Sequence, residues 1–329
     1  MTYRSDQVAR PVEDRAAQDP DQCASLGVCV VNYHSRALIV RLIDSLAAAR
    51  GSTTLRVACV DNSESDREFW ELRQLEQRAA ELGISLTVTQ ATSNVGYAAG
   101  NNMAAQLLIA AGVDFLLVVN PDVTVRAGRL DTLCRLVGST PRSIYTAKTW
   151  RGNTSYSGLS SVNRWTSASA QLPARLPTGL VACDEIVGRA QVHPRTVMYP
   201  GGHFLAMSTR TWVQLGGLCP DFFLFGEEAD LAVRAVDVGV AIVTTDLIEV
   251  DHEVGATTGA TAAVADKSSI TLRQASRSAV IFSRKHNPYR TPTVVLCRLV
   301  LAAVVLVRRG PTACLQVLGG IVDGLGATL

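Results

Sequence analysis

A chain of 329 residues, 47% hydrophobic and 18% charged, is long enough for one large or two modest domains with a substantial core. Its formal net charge of +2 comes without a basic block or an acidic tail, which excludes a nucleic-acid-scale basic face, so any phosphate binding must be local. Eight cysteines lie scattered without CxxC pairs, several of them inside apolar runs where a reduced thiol acts as a small hydrophobe, and a reducing cytoplasm is therefore the expected setting.

Residues 1–24 are polar and charged and lack the apolar core of a secretory signal; they are expected to form a disordered tail. From Leu26 onward short apolar runs alternate with helix-like stretches, the signature of βα units on a mainly parallel sheet. Residues 28–32 read as a first strand and 35–49 as a helix with Ser35 at its N-cap. A second strand over 55–60 is closed by Asp61-Asn62-Ser63, and a charged helix over 64–82 leads to a third strand at 84–89. The segment Asn94-Val95-Gly96-Tyr97-Ala98-Ala99-Gly100-Asn101-Asn102 then opens another helix. Gly96 and Gly100 at a helix start allow backbone amides to approach a phosphate or ribose, a weak signal when taken alone. No Walker pattern occurs and no GxGxxG follows the first strand, which counts against a P-loop enzyme and a nicotinamide dehydrogenase.

The run Phe115–Val119 stops at Asn120-Pro121-Asp122-Val123. Five apolar residues in succession read as a buried strand, and Pro121, which cannot donate a ladder hydrogen bond, ends it. Asp122 is thereby held at the carboxyl edge of the sheet, where open α/β sheets bind ligands. The segment by itself fits an ordinary turn with an Asx-type bond equally well. Asp61 has the same double reading, as a contact for a base or ribose or as a helix cap.

Between about 138 and 200 the βα rhythm is lost. Ser, Thr, Gly and Pro are dense there and Trp150, Tyr156 and Trp165 are interspersed, which suggests β-rich or loop structure forming a second binding surface. Residues 199–207, with Gly201, Gly202 and His203, read as one strand. The next cluster is Gly226-Glu227-Glu228-Ala229-Asp230-Leu231, behind Phe222-Phe223-Leu224-Phe225. Three acids at a helix start exceed what a cap needs, and apolar bulk beside them raises the pKa of a carboxylate toward the range of a general base. Arg234 stands four residues after Asp230, at ion-pair spacing. Asp251-His252-Glu253 follows an apolar stretch over 241–250. His252 alone fits a local hydrogen bond; opposite Asp122 it would complete two positions of a divalent ion. Residues 293–307 are apolar except for Arg298 and are followed by Arg308-Arg309, so they suit a core or dimer helix, or a segment lying on an anionic membrane surface. This apolar run is shorter than the roughly 20 residues that cross a bilayer.

Taken in order, Val30-Val31-Asn32-Tyr33, Val60-Asp61-Asn62-Ser63, Asn94-Val95-Gly96-Tyr97 with Asn102, Asn120-Pro121-Asp122-Val123, the Gly226–Leu231 cluster with Arg234, and His252 resemble the inverting family 2 glycosyltransferases, most nearly the rhamnosyltransferase-type branch that uses dTDP- or UDP-sugars. The resemblance covers residues 26–259. It implies a GT-A fold: an α/β protein with a Rossmann-like, mostly parallel central sheet, flanking helices and a C-terminal helical segment. Residues 25–137 would then be the nucleotide-sugar-binding half, 138–262 the acceptor-binding and catalytic half, and 263–329 C-terminal helices for dimer or membrane-surface contact. It further implies that Asp61 contacts the pyrimidine base and that Asn32, Tyr33, Asn94, Gly96 and Asn102 line the nucleoside and diphosphate. Asp122 matches the last acid of the DxD motif, with His252 beside it on a divalent metal, Mg2+ or Mn2+. Glu228 matches the catalytic base, with Glu227 and Asp230 as its neighbours, and Gly202 and His203 would face the acceptor.

Three positions depart from the family pattern: Asn120 replaces the first acid of DxD, Glu228 stands where Asp is usual, and Met103-Ala104 follow Asn102 where a glycine is expected. Glu227 therefore stays open as an alternative base. The implied activity is transfer of a sugar, a deoxysugar such as rhamnose, to a hydroxyl of a saccharide, a lipid-linked saccharide or a natural product. It would take place in the cytoplasm or at the inner face of the cell membrane, with a homodimer as one form and no nucleic acid involved. The alternative from another class is a sugar-nucleotide- or carbohydrate-binding protein of the same fold without turnover.

Overall fold

The computed structural model describes residues 24–173, 192–193, 196–253 and 268–329; the expected N-terminal tail lies outside the described residues, apart from Ala24. Strand β1 (Ser25–Asn32), helix α1 (Arg36–Ala49), strand β2 (Thr54–Asp61), helices α2 (Asp66–Arg73) and α3 (Leu75–Glu81), strand β3 (Ser85–Gln90), helix α4 (Gly96–Ala110) and strand β4 (Phe115–Val119) form the βα half. β5 (Val123–Ala127), α5 (Leu130–Ser139), β6 (Ser143–Arg151), β7 (Thr154–Asn163), β8 (Ser169–Pro173), β9 (Val192–His193), β10 (Thr196–Pro200) and β11 (Phe204–Ser208) follow. The chain continues through α6 (Thr209–Leu215), α7 (Glu227–Asp237) and β12 (Ala241–His252) to α8 (Ser269–His286), α9 (Thr291–Arg309) and α10 (Pro311–Gly326).

All described strands join one sheet of twelve, in the order β3-β2-β1-β4-β11-β6-β7-β10-β9, with β12 bridging β5 and β6 and β8 added to β7. β3, β2, β1 and β4 are parallel, and β1 and β4 are near-continuous Val, Leu and Cys because helices cover both faces. The chain crosses over between β1 and β4, which opens a crevice at their carboxyl ends. Beyond β4 the sheet turns antiparallel, and this change of direction builds the site. β11 runs back along β4 with Phe204 opposite Val119, and β12 runs back along β5 with His252 opposite Val123. The residues just before β11 and at the end of β12 are thereby brought to the rim where β4 ends.

Three local expectations change. The charged helix expected over 64–82 is two helices meeting at Gln74, the second turned so that Leu75 and Ala79 are buried and Glu76 accepts a hydrogen bond from Val88 N at 3.1 Å. Residues 199–207 are two strands, because β10 pairs with β7 while β11 pairs with β4, and Gly201-Gly202-His203 make the step between them. The C-terminal apolar run belongs to a longer helical stretch, Pro288–Arg309, whose 22 residues contain an 18-residue window of mean hydropathy 1.9, long and apolar enough to cross a bilayer. α9 and α10 pack on α8 through Leu272, Val305, Ala313, Val317 and Ile321. α9 nevertheless leaves Leu296 (60%), Val300 (59%) and Val307 (87%) exposed.

Candidate active site

A cleft of about 650 Å³ opens over the carboxyl ends of β1 and β4. Beneath it lie two polar strand ends, Asn32 and Asp61, neither of which lines it. Asn32 donates from Nδ2 to Asp61 Oδ1 at 2.8 Å and accepts from Ser35 N and Ser35 Oγ, both at 2.9 Å; Asp61 also accepts from Ser63 N at 3.1 Å and Ser63 Oγ at 2.8 Å. Both side chains are fully buried, so the pair stiffens the rim from beneath. The hydroxyl of Ser35 therefore serves Asn32 and not the end of α1, while the cap of α2 is Ser65, which accepts from Glu68 N. Tyr33, Asn94 and Gly96 do line the cleft. Asn94 Oδ1 accepts from Gly96 N at 3.1 Å, and Gly96 has φ +83°, with Phe223 so close that a β-carbon would strike its carbonyl oxygen. Asn102 lies off the cleft: it donates to Leu218 O at 2.7 Å and accepts from Leu218 N at 2.9 Å, tying α4 to the loop that leads toward α7.

Asp122 and His252 meet at this rim. Glu253 N donates to Asp122 O at 3.0 Å, and the His252 Nε2 to Asp122 Oδ1 distance is 3.3 Å, with both side chains almost completely buried. The His203 ring stacks on His252 at 4.4 Å between centroids and 13° between planes. His203 is also held through Nε2, 2.7 Å from Thr149 Oγ1. Because Thr149 gives its own proton to Ala147 O, the Nε2 proton belongs to His203. Burial, and then the neighbouring His252 and Arg151, push the His203 pKa well below the usual range, so its ring is neutral.

The acid cluster opens α7. Glu227 and Glu228 both line the cleft. Burial raises the Glu228 pKa to about 7, although backbone N–H groups of Glu228 itself and Gly202 bond its carboxylate and pull the other way. Glu227 is driven in the same direction, well above the usual carboxylate range, by burial and then by the negative charge of Glu228, which favours its protonated form. Asp230 sits elsewhere: it is fully buried, away from the cleft, 2.7 Å from Arg234 Nε and 2.9 Å from His286 Nε2. Burial pushes its pKa up, but the His286 hydrogen bond and the Arg234 charge outweigh this and hold it below the usual carboxylate range. The spacing to Arg234 had shown half of that pairing; His286, from α8, had no local signal.

Other cleft residues escaped the sequence reading. Tyr97 donates to Gly202 O at 2.6 Å and steadies the glycine step against Glu228. Arg151, at the end of β6, has a partly buried guanidinium whose Nε lacks a partner among the described residues, and its pKa is lowered by that burial. The helices α8 and α9 supply a wall through Ile270, Phe282, Arg298 and Leu301. The sequence indicates helices there but carries no signal that links them to the site.

The donor set is compatible with a divalent ion. Asn120 Oδ1 and His252 Nδ1 are buried without a hydrogen-bond partner among the described residues, and Asp122 Oδ1 meets His252 Nε2 at 3.3 Å without a well-formed hydrogen bond, the state expected of groups arranged for something the protein does not itself supply. Among the described residues no three His, Cys, Asp or Glu side chains gather at metal-binding distance, so Asp122 and His252 would supply two positions to such an ion and leave the others to a bound substrate and water.

A curled α/β sheet with a buried acid–imidazole pair and a carboxylate pair over its carboxyl edge defines the GT-A class of glycosyltransferases. Residues 24–277 match the family described as glycosyltransferase-like family 2, and the chain belongs to that family. No curated protein matches the chain by sequence. Among solved structures, GalNAc-T7 with UDP, GalNAc and Mn2+ is similar at a TM-score of 0.55 and 15% identity, over 71% of this chain and 44% of that one. This chain thus spans less than half of GalNAc-T7. The mannosyltransferase PcManGT from Pyrobaculum calidifontis, in complex with GDP-Man and Mn2+, is similar at 0.53 and 15%, over 95% and 90% of the two chains. Residues 1–349 of TarS from S. aureus give 0.50 and 13%, over 92% and 81%.

Proposed function

We propose that this glycosyltransferase inverts the anomeric centre of a dTDP- or UDP-activated sugar, a deoxysugar such as rhamnose, in passing it to an acceptor hydroxyl. Residues 25–137 would hold the nucleotide, with Tyr33, Asn94 and Gly96 along it and the buried Asn32–Asp61 pair beneath, and 138–262 would present the acceptor and the base. The observation that carries this reading is Glu228, a cleft carboxylate with a pKa near 7, oriented by the Gly202 N–H. At that value about half of the population is ionised at neutral pH, the condition of an efficient general base.

Glu228 takes the proton of the acceptor hydroxyl. The hydroxyl oxygen forms the new bond to the anomeric carbon as the bond to the diphosphate oxygen breaks, and its electron pair leaves with the nucleoside diphosphate from the opposite face. Glu227, protonated beside it, adds no second negative charge and can donate a hydrogen bond to the sugar or acceptor. Asp122 and His252 would hold a Mg2+ or Mn2+ ion, which when bound neutralises the charge of the leaving diphosphate. His203 keeps the His252 ring from rotating. The test is a panel of dTDP-, UDP- and GDP-sugars read by thermal stabilisation, followed by transfer assays on Glu228→Gln with the donor that stabilises most. Full donor binding with collapsed transfer is expected; near-normal turnover would remove Glu228 as base.

A further inference from the structure

From residue 291 to 307 the only charged side chain is Arg298. It turns inward and lines the cleft with Leu301, while Leu296, Leu299 and Val300 on the same helix face outward at 60%, 44% and 59% exposure. Its guanidinium donates through Nη2 to Ser167 O at 3.1 Å and Thr166 O at 3.4 Å. Nε is buried without a partner among the described residues, and no described carboxylate pairs with this side chain. An ion that stays charged at every accessible pH is thus largely shielded from water against two neutral carbonyls, an arrangement that an anion would complete. The planar fork is suited to a phosphate.

The donor diphosphate is assigned to the rim at Asp122, a different wall of the cleft, so the anion at Arg298 belongs to the acceptor. The chemistry of the acceptor follows from what surrounds Arg298. Around the same helix from Arg298 the exposed side chains are apolar, and Leu315, Val322 and Leu325 are exposed on α10, which packs against α9. No acid occurs from residue 288 to 322, and Arg308 and Arg309 close α9. A phosphate held in the cleft, an apolar chain leaving across α9, and basic side chains beside an anionic leaflet are mutually consistent.

We propose that Arg298 binds the phosphate of a lipid-linked saccharide acceptor whose apolar chain lies along the outer face of α9 in the membrane surface. This rests on the glycosyltransferase reading and narrows its acceptor to one class. The test uses the full chain with UDP and Mn2+ in excess, so that the donor site is filled, and titrates farnesyl diphosphate, farnesol and inorganic pyrophosphate calorimetrically. Farnesyl diphosphate is expected to bind at least about tenfold more tightly than either fragment. Arg298→Gln should lose about tenfold or more of that affinity, leave farnesol binding unchanged and be partly rescued by Arg298→Lys. Equal affinity in Arg298→Gln, a parallel loss of farnesol binding, or pyrophosphate binding as tightly as the prenyl compound would each overturn the proposal. UDP binding is read separately: if the wild-type protein fails to bind UDP or dTDP it is the donor reading that fails, and if Arg298→Gln binds the nucleotide normally its donor half is intact.

Discussion

Gly202 and Glu228 are packed so closely that a β-carbon on the glycine would occupy the place of the Glu228 carboxylate oxygen Oε1. The contact joins the step between β10 and β11 to the first turn of α7, and the Gly202 N–H bonds the same carboxylate. Gly202 does not have a positive φ, so an alanine would cause no backbone strain and its whole effect would fall on Glu228. Gly202→Ala should lower transfer by about 100-fold, the scale of a displaced catalytic group, with donor-induced stabilisation retained. Unchanged turnover would show that Glu228 need not stand where it does.

The pKa of Glu228 sets a pH profile. Below about 7 the base is protonated, so kcat/KM should rise with pH about tenfold per unit and level off above that value. Stability runs the other way. The folded carboxylate holds its proton more tightly than the unfolded one, so this group costs stability as pH rises from 4.5 to about 7, by up to ~3 kcal/mol. Glu228→Gln, which cannot ionise, should therefore melt higher than the wild type at pH 8 and show no such gain at pH 4. A variant equally stable at both would indicate a carboxylate of ordinary pKa.

Asp230→Asn should behave in the opposite sense. Its carboxylate pairs with Arg234 and hydrogen-bonds His286 in a fully buried position, and breaking the ion pair leaves the Arg234 charge uncompensated at a cost of about 3 kcal/mol. Because its pKa is lowered, the contribution of Asp230 is complete near neutrality and disappears as pH falls through the folded value. Urea denaturation at pH 7 and pH 3 measures both. A soluble, fully stable variant that has lost transfer would return Asp230 to a chemical role.

Asp122→Asn and His252→Ala test the ion without an activity assay. In the wild type, Mn2+ together with UDP or dTDP should raise the melting temperature more than either alone, since metal and diphosphate complete each other's coordination. Each variant should abolish the synergy while keeping most of the nucleotide-only shift. Synergy that survives in both would place the ion elsewhere, and full activity after exhaustive chelation would remove it altogether.

The residues whose placement was legible from the chain alone are those set by local rules. Pro121 ends β4, so Asp122 has to stand at the rim; His252 closes an apolar strand; Glu227 and Glu228 open an amphipathic helix after aromatic bulk. Asn32 and Asp61 also had the right address, the ends of two adjacent parallel strands. Their register, Asn32 opposite Asp61, turns the two side chains toward each other and makes them a buried support in this structure. Asp230 was singled out with its neighbours because charge in a sequence carries no direction. Three residues after Glu227 on α7, it is turned toward α8, where His286 receives it.

The alternation of apolar and amphipathic segments therefore determined by itself the α/β class and the positions where strands must stop, since hydrophobic periodicity and proline stereochemistry act over a few residues. Which stops would meet was decided only by tertiary structure. The antiparallel return of β11 along β4 and of β12 along β5 brings His203 and His252 to Asp122 across more than 80 residues of sequence, and the packing of α8 and α9 over the cleft delivers Arg298. Burial then set the acidities. Two adjacent glutamates of the same type are raised to different extents, Glu228 to about 7 and Glu227 well above the usual carboxylate range, because desolvation and mutual repulsion depend on distances that the linear sequence does not contain.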